Sequence, residues 1–147
     1  MKEDFKIISV IILISIITVY FCNVIGSTSI FEYLNENLIT ILVGFLAINT
    51  ATLGHLAAKI QDVMLVHKEL DFSNTTFEMK KSLTEQIILI AISVILIIIE
   101  KSNLNFYLKT EVVNVISFSV FLYAINILWD TGKSVFIIIE EIRKLNN

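Results

Sequence analysis

The sequence predicts an all-α, polytopic membrane protein with four transmembrane helices, a cytoplasmic helical hairpin and a C-terminal amphipathic helix. Three observations carry that fold class. Of the 147 residues, 56% are hydrophobic and 17% charged, against roughly 45–50% and about 25% in a soluble domain, and the mean hydropathy is +0.82. The apolar excess lies in long uncharged runs, each near the roughly 20 residues that cross a hydrocarbon core of about 30 Å. Proline is absent and glycine occurs four times, which suits helices. Four spans take up more than half of the chain, so residues 1–147 read as a single membrane domain without room for a separate catalytic one.

The first span covers 7–25. A cleaved signal peptide is its alternative, because Val24 and Gly26 fit the small-residue rule for cleavage. Two acids among the first six residues and the length of the run favour retention, and Cys22 after Tyr20 and Phe21 makes no lipoprotein box. The second span covers 38–58 and the fourth 112–129. The third, 83–99, is the shortest, with Thr75 and Glu78 forming a capping-box pattern before it and Ser82 and Glu85 a second one. The earlier start predicts a helix from about Thr76 to Lys101. The second span continues through Ile60, Val63, Met64 and Leu70 to a turn at Asp71-Phe72-Ser73-Asn74, giving a cytoplasmic hairpin over 59–82. In the tail, 131–147, Val135, Ile138, Ile139 and Ile142 face one way and Glu140, Glu141 and Lys144 another.

Orientation follows from the basic residues. With four spans, Lys2, Lys6, Lys59, Lys68, Lys80, Lys81, Lys133, Arg143 and Lys144 collect on one side, and Lys101 and Lys109 on the other. The positive-inside rule then places both termini in the cytoplasm of a bacterium, with the chain in the inner membrane. Tyr33, Tyr107 and Trp129 fall near the expected interfaces.

Several function classes lose ground. The net charge of −3 and the lack of a basic cluster argue against nucleic acid as a direct partner. A single cysteine excludes an intrachain disulfide, and His55 and His67 match no metal spacing. No phosphate-loop, nucleophile-elbow or zinc-protease motif occurs. The chain therefore reads as a non-enzyme without cofactor or metal. Glu85, Glu100, Glu111 and Asp130 all lie near span ends, whereas a proton-coupled exporter or a membrane kinase needs carboxylates deeper in.

Two features inside the spans point to function. Thr40, Gly44, Ala47, Ala51, Gly54 and Ala58 alternate spacings of four and three, which puts small residues along one face of the second span. Such a seam lets backbones approach closely, either against a helix of the same chain or at a subunit interface or pore. Near it stand Thr52, His55 and Lys59, with Asn49 slightly apart. The fourth span carries Ser119, Tyr123, Asn126 and Asp130 in a stripe at similar depth. Asp130 is then expected to meet Lys59 or His55; all eight polar residues are pore or gate candidates, with Thr52, His55, Lys59, Asn126 and Asp130 lining or gating a cytoplasmic mouth. Hydroxyls and amides solvate a passing ion; equally, such groups hold helices together, and His55 is either a packing residue or a pH sensor.

The layout, with 41–59 (ILVGFLAINTATLGHLAAK) as a small, apolar span and Lys59 as its basic exit, resembles phage-exclusion membrane proteins of the RexB type and the membrane subunit of the Kiwa defence system. That type is more strongly basic at this exit, and no functional residue carries over. The resemblance implies a membrane protein of antiviral defence, acting as an ion channel or as a sensor beside a cytosolic partner. The leading expectation is a homo-oligomer in the lipid bilayer that permeabilises the membrane when triggered. The alternative is a non-conducting anchor for a soluble partner protein.

Overall fold

The structure, a computed structural model, describes residues 2–68, 70–103 and 107–145, and at 2–4, 141, 142, 144 and 145 the backbone alone. Four helices follow one another: α1 (Lys2–Ile25), α2 (Ser29–Val66), α3 (Ser73–Lys101) and α4 (Lys109–Leu145). All four are long and apolar enough to cross a membrane. The isoleucine- and valine-rich runs would suit strands in water. In lipid, a single span can satisfy its backbone only as a helix.

The helices run up and down. Asn35 near the start of α2 meets Glu100 at the end of α3 and Asn114 near the start of α4. α2, α3 and α4 pack on one another in a three-helix core, while α1 lies against α4. On α4, Val113, Ser117, Val120, Ala124, Ile127 and Thr131 are buried and spaced alternately by four and three, with Asn114 buried beside them, the seam of near-parallel packing. Leu34, Leu38, Leu42 and Leu89 join Val120, Ala124 and Ile127 in the main cluster. Phe31, Phe45, Phe118 and Phe121 add ring contacts between α2 and α4. A second cluster, Leu53, Leu56 and Ile60 with Phe72, Met79, Leu83, Val135 and Ile138, ties the helices together near the 67–72 turn.

The burial pattern is inverted relative to a soluble bundle. Asn49, Ser15 and Ser93 are fully buried, while Ile12, Leu13, Ile16, Ile17 and Phe21 on α1 and Ile87, Ile95 and Ile98 on α3 are exposed. Ser15 and Ser93 turn their hydroxyls back onto the carbonyls of Ile11 and Leu89, so each presents a small, satisfied surface at a close helix approach.

Several local expectations need correction. α3 starts at Ser73, so Thr75, Glu78, Ser82 and Glu85 all lie inside it, and neither capping box forms. Asp71 organises the start instead: its carboxylate accepts the Ser73 N–H at 2.8 Å and the Ser73 hydroxyl at 3.1 Å. These bonds hold the Asp71 carboxyl below its usual range. The reason is register, since an aspartate two residues ahead reaches the first free amide before any threonine further in can do so. The tail is no separate helix; it continues α4 without a break. Val135 and Ile138 pack inward as expected, Ile139 is exposed, and the side chains of Glu141, Ile142 and Lys144 lie outside the described residues. Gly26, at φ +69°, ends α1: Ser27 N–H reaches the Cys22 carbonyl and Gly26 N–H the Asn23 carbonyl, a Schellman closure.

Candidate functional site

α2 carries two stripes at helical spacing, and they face opposite ways. Leu34, Leu38, Leu42, Asn49, Leu53, Leu56 and Ile60 are buried. Thr40, Gly44, Ala47, Ala51, Gly54 and Ala58 are all exposed. A Cβ added at Gly44 or Gly54 would meet nothing within 4 Å, so at its two glycines the small seam has no described neighbour packed against it. Asn49 gives the physical reason. It belongs to the leucine stripe and cannot face lipid without leaving its amide unpaired. Turning Asn49 inward turns the glycines outward.

Asn49 sits in a polar layer fed by all three core helices. Its Nδ2 donates to Ser82 Oγ at 2.9 Å and to Gln86 Oε1 at 3.1 Å. Ser82 Oγ lies 3.3 Å from Thr131 Oγ1. Asn49 Oδ1 and Gln86 Nε2 are buried without a hydrogen-bond partner in the chain, each at a cost of about 1–3 kcal/mol unless something else satisfies it.

Ser82 and Thr131 also line a cleft of about 420 Å³ between α3 and α4, toward the 67–72 turn. Its polar wall includes Glu78, Lys81 and Glu85 from α3 and Tyr123, Asn126 and Asp130 from α4. Its apolar wall includes Ile7, Leu53, Leu56 and Ile127. Tyr123 OH donates to Glu85 Oε2 at 3.2 Å, and Lys81 stands 3.8 Å from the other Glu85 oxygen. Asn126 donates to Asp130 at 3.1 Å, whose second oxygen faces Lys133 at 3.6 Å.

Compared with protein-family models, curated proteins and solved structures, the chain matches none.

The eight pore or gate candidates therefore separate into four places. Tyr123, Asn126 and Asp130 line the cleft, Asn49 is in the core, and Thr52, His55 and Lys59 lie along the outer side of α2, Thr52 half-buried and the other two exposed; the eighth, Ser119, is half-buried on α4 outside the other three. Asp130 meets neither Lys59 nor His55; Lys59 pairs with Asp62 one turn on, at 3.6 Å. Thr52 and Ser119 bond carbonyls of their own helices. Sequence reasoning passed over Gln86 and Thr131, which the core brings to Asn49, and read Ser82 and Glu85 as a capping pair, with Glu85 also a span-end carboxylate. Gln86 and Ser93 share with Leu89 and Leu96 the spacing of three and four that marks the buried face of α3, and that spacing was the available signal. Among the described residues, no group of three His, Cys, Asp or Glu side chains could hold a metal ion.

Proposed function

We propose that the chain is one subunit of an oligomer in a bacterial inner membrane that depolarises the membrane as an ion channel when triggered, with α2 lining the shared axis. The observation supporting this reading is a contrast within one molecule. The outward faces of α1 and α3 are bulky isoleucine, leucine and valine, which suit lipid. The outward face of α2 carries glycine, alanine and threonine interspersed with Val43 and Ile48, with His55 and Lys59 at one end. Small faces favour close helix approach, and threonine hydroxyls suit a wetted path. The core of a single chain is filled by leucine, valine and alanine, so conduction requires several copies. Positive-inside bias orients both termini and the 67–72 turn toward the cytoplasm. The antiviral setting comes from the architectural resemblance alone.

Flux from liposomes containing purified protein, with the subunit count measured in the same preparation, tests this. Gly54→Leu is expected to lower both. A monomer that passes no ions under any trigger overturns the reading. A non-conducting anchor or sensor is the second reading, favoured by apolar side chains exposed toward the turn: Leu65 70%, Val66 76%, Phe77 64% and Phe136 70%. Under that reading Phe77→Ser weakens capture of a cytosolic protein while Gly54→Leu does not.

A further inference from the structure

We infer that the cleft between α3 and α4 is an aqueous vestibule for small cations, ending on the Asn49–Gln86 layer inside the membrane. The inference concerns the interior of one subunit and stands whether or not the chain assembles.

Depth comes first. Gln86 precedes Lys101 by 15 residues, about 22 Å along α3 at ~1.5 Å per residue. Lys101 and Glu100 mark one membrane boundary by their charge. With a hydrocarbon core of roughly 30 Å, the Gln86 layer lies within the bilayer thickness, and Glu85 shares its depth. Charged groups at such depth face protein or water. Glu78, Glu85 and Asp130 here face a cleft.

The buried layer supplies the independent observation. Asn49 is 0% exposed and Gln86 3%, yet one acceptor on the first and one donor on the second have no partner in the chain. A water molecule both donates and accepts, so it can satisfy the two together, which neither an anion nor an apolar group can do. Ser82 connects the layer to the cleft, since it accepts from Asn49 and also lines the cleft beside Thr131. The cleft thus gives water a route to the atoms that need it.

Charge decides which solutes follow the water. The cleft wall holds three carboxylates, Glu78, Glu85 and Asp130, against one ammonium, Lys81. A cleft of one net sign between low-dielectric walls concentrates counter-ions by roughly 10-fold or more. Neutral oxygens at its inner end, from Ser82 and Thr131, suit weakly held monovalent cations rather than tightly bound divalent ones.

Single-cysteine chemistry on the full chain in liposomes tests this, with Cys22→Ser as background. The probes are two methanethiosulfonates of similar size, one carrying trimethylammonium and one sulfonate. Their rates are normalised to those with a free thiol in solution. Ser134→Cys and Asn126→Cys report the cleft, Ser82→Cys its inner end, and Ser93→Cys the dry core. Cleft and inner-end cysteines are expected to react with the cationic reagent at least about 10-fold faster than with the anionic one, and far faster than Ser93→Cys. Glu85→Gln with Asp130→Asn should erase the charge preference while leaving the cysteines reachable. If Ser82→Cys is as inert as Ser93→Cys while Ser134→Cys reacts, water stops short of the layer and the inference is wrong. Equal normalised rates for the two reagents would refute the preference for cations. A Ser82→Cys protein that fails to fold leaves Thr131→Cys to decide, because that side chain lines the cleft beside Ser82 at its inner end.

Discussion

Asn49 on α2 and Gln86 on α3 meet across the core at 3.1 Å, and each keeps one polar atom, Oδ1 and Nε2 respectively, without a partner in the chain. This contact fixes the rotation of α2. The same rotation buries the leucine stripe and exposes the glycines.

Asn49→Leu should destabilise the fold by about 1–2 kcal/mol, because Gln86 and Ser82 then lose their donor inside an apolar core. Gln86→Leu should act similarly. The double variant should lose less than the sum, with a coupling of roughly 0.5–1.5 kcal/mol. Reversible unfolding in mixed detergent measures all three. Additive losses would mean that the two amides do not act as a pair.

Gly26→Ala should destabilise the α1–α2 connection by about 1 kcal/mol, because Gly26 holds φ +69° and an L side chain there is strained. Gly26→Asn should lose less, since asparagine tolerates this region. No atom lies within 4 Å of a Cβ at this position, so the loss is conformational rather than steric. Thermal unfolding of the two variants separates them.

Bulk should be tolerated at Gly54 and not at Ala124. Gly54 has open space around it, so Gly54→Leu leaves the fold of one chain intact. Ala124 is 0% exposed at the centre of the core, so Ala124→Leu should cost about 1–3 kcal/mol through overpacking. Leu42→Ala, at a site 2% exposed, should cost about 2–4 kcal/mol through the cavity it leaves. Unfolding midpoints of the monomeric protein check the order. A Gly54→Leu chain as unstable as Ala124→Leu would mean that the seam packs within the chain after all.

The start of α3 should loosen in acid. The Asp71 carboxyl is held below its ordinary 3.8 by the Ser73 backbone N–H first and the Ser73 hydroxyl second. A depressed folded pKa contributes stability above the unfolded value and loses it as pH falls through the folded value. The contribution is therefore complete above 3.8 and declines below it. Amide exchange over 73–77, normalised to intrinsic rates, should accelerate as pH falls below 3.8, and Asp71→Ala should abolish that acceleration. An unchanged pH response in Asp71→Ala assigns the effect to another group.

Much of the fold was legible in the chain. The four apolar runs at 7–25, 38–58, 83–99 and 112–129 all fall inside observed helices long and apolar enough to cross a membrane, and a run of that length in lipid would have one way to satisfy its backbone. The extension of α2 toward Val66 was legible too, from Ile60 and Val63. The beginning of α3 was misread, since two threonine- and serine-based capping patterns compete with Asp71 and a sequence shows no preference among overlapping caps. Of the candidate site, Tyr123, Asn126 and Asp130 were found by their spacing on one helix. The remainder of the cleft, Glu78, Lys81, Glu85 and Ser82, comes from α3, and its meeting with α4 has no signature within either segment.

The sequence by itself determined the number of helices, their span and their up-and-down order, because those follow from chain-local quantities: length, hydropathy and the absence of breakers. Only the tertiary structure decided which side of each helix faces in. On α2, two helical stripes compete, one of leucines with Asn49 and one of glycines and alanines. In water the larger apolar stripe would win by burial. In lipid both faces are equally apolar in their surroundings, so burial does not choose between them. The choice falls to the polar group that lipid cannot accommodate, and Asn49 turns inward because Ser82 and Gln86 on another helix, more than 30 residues away in the chain, stand where its amide can reach them.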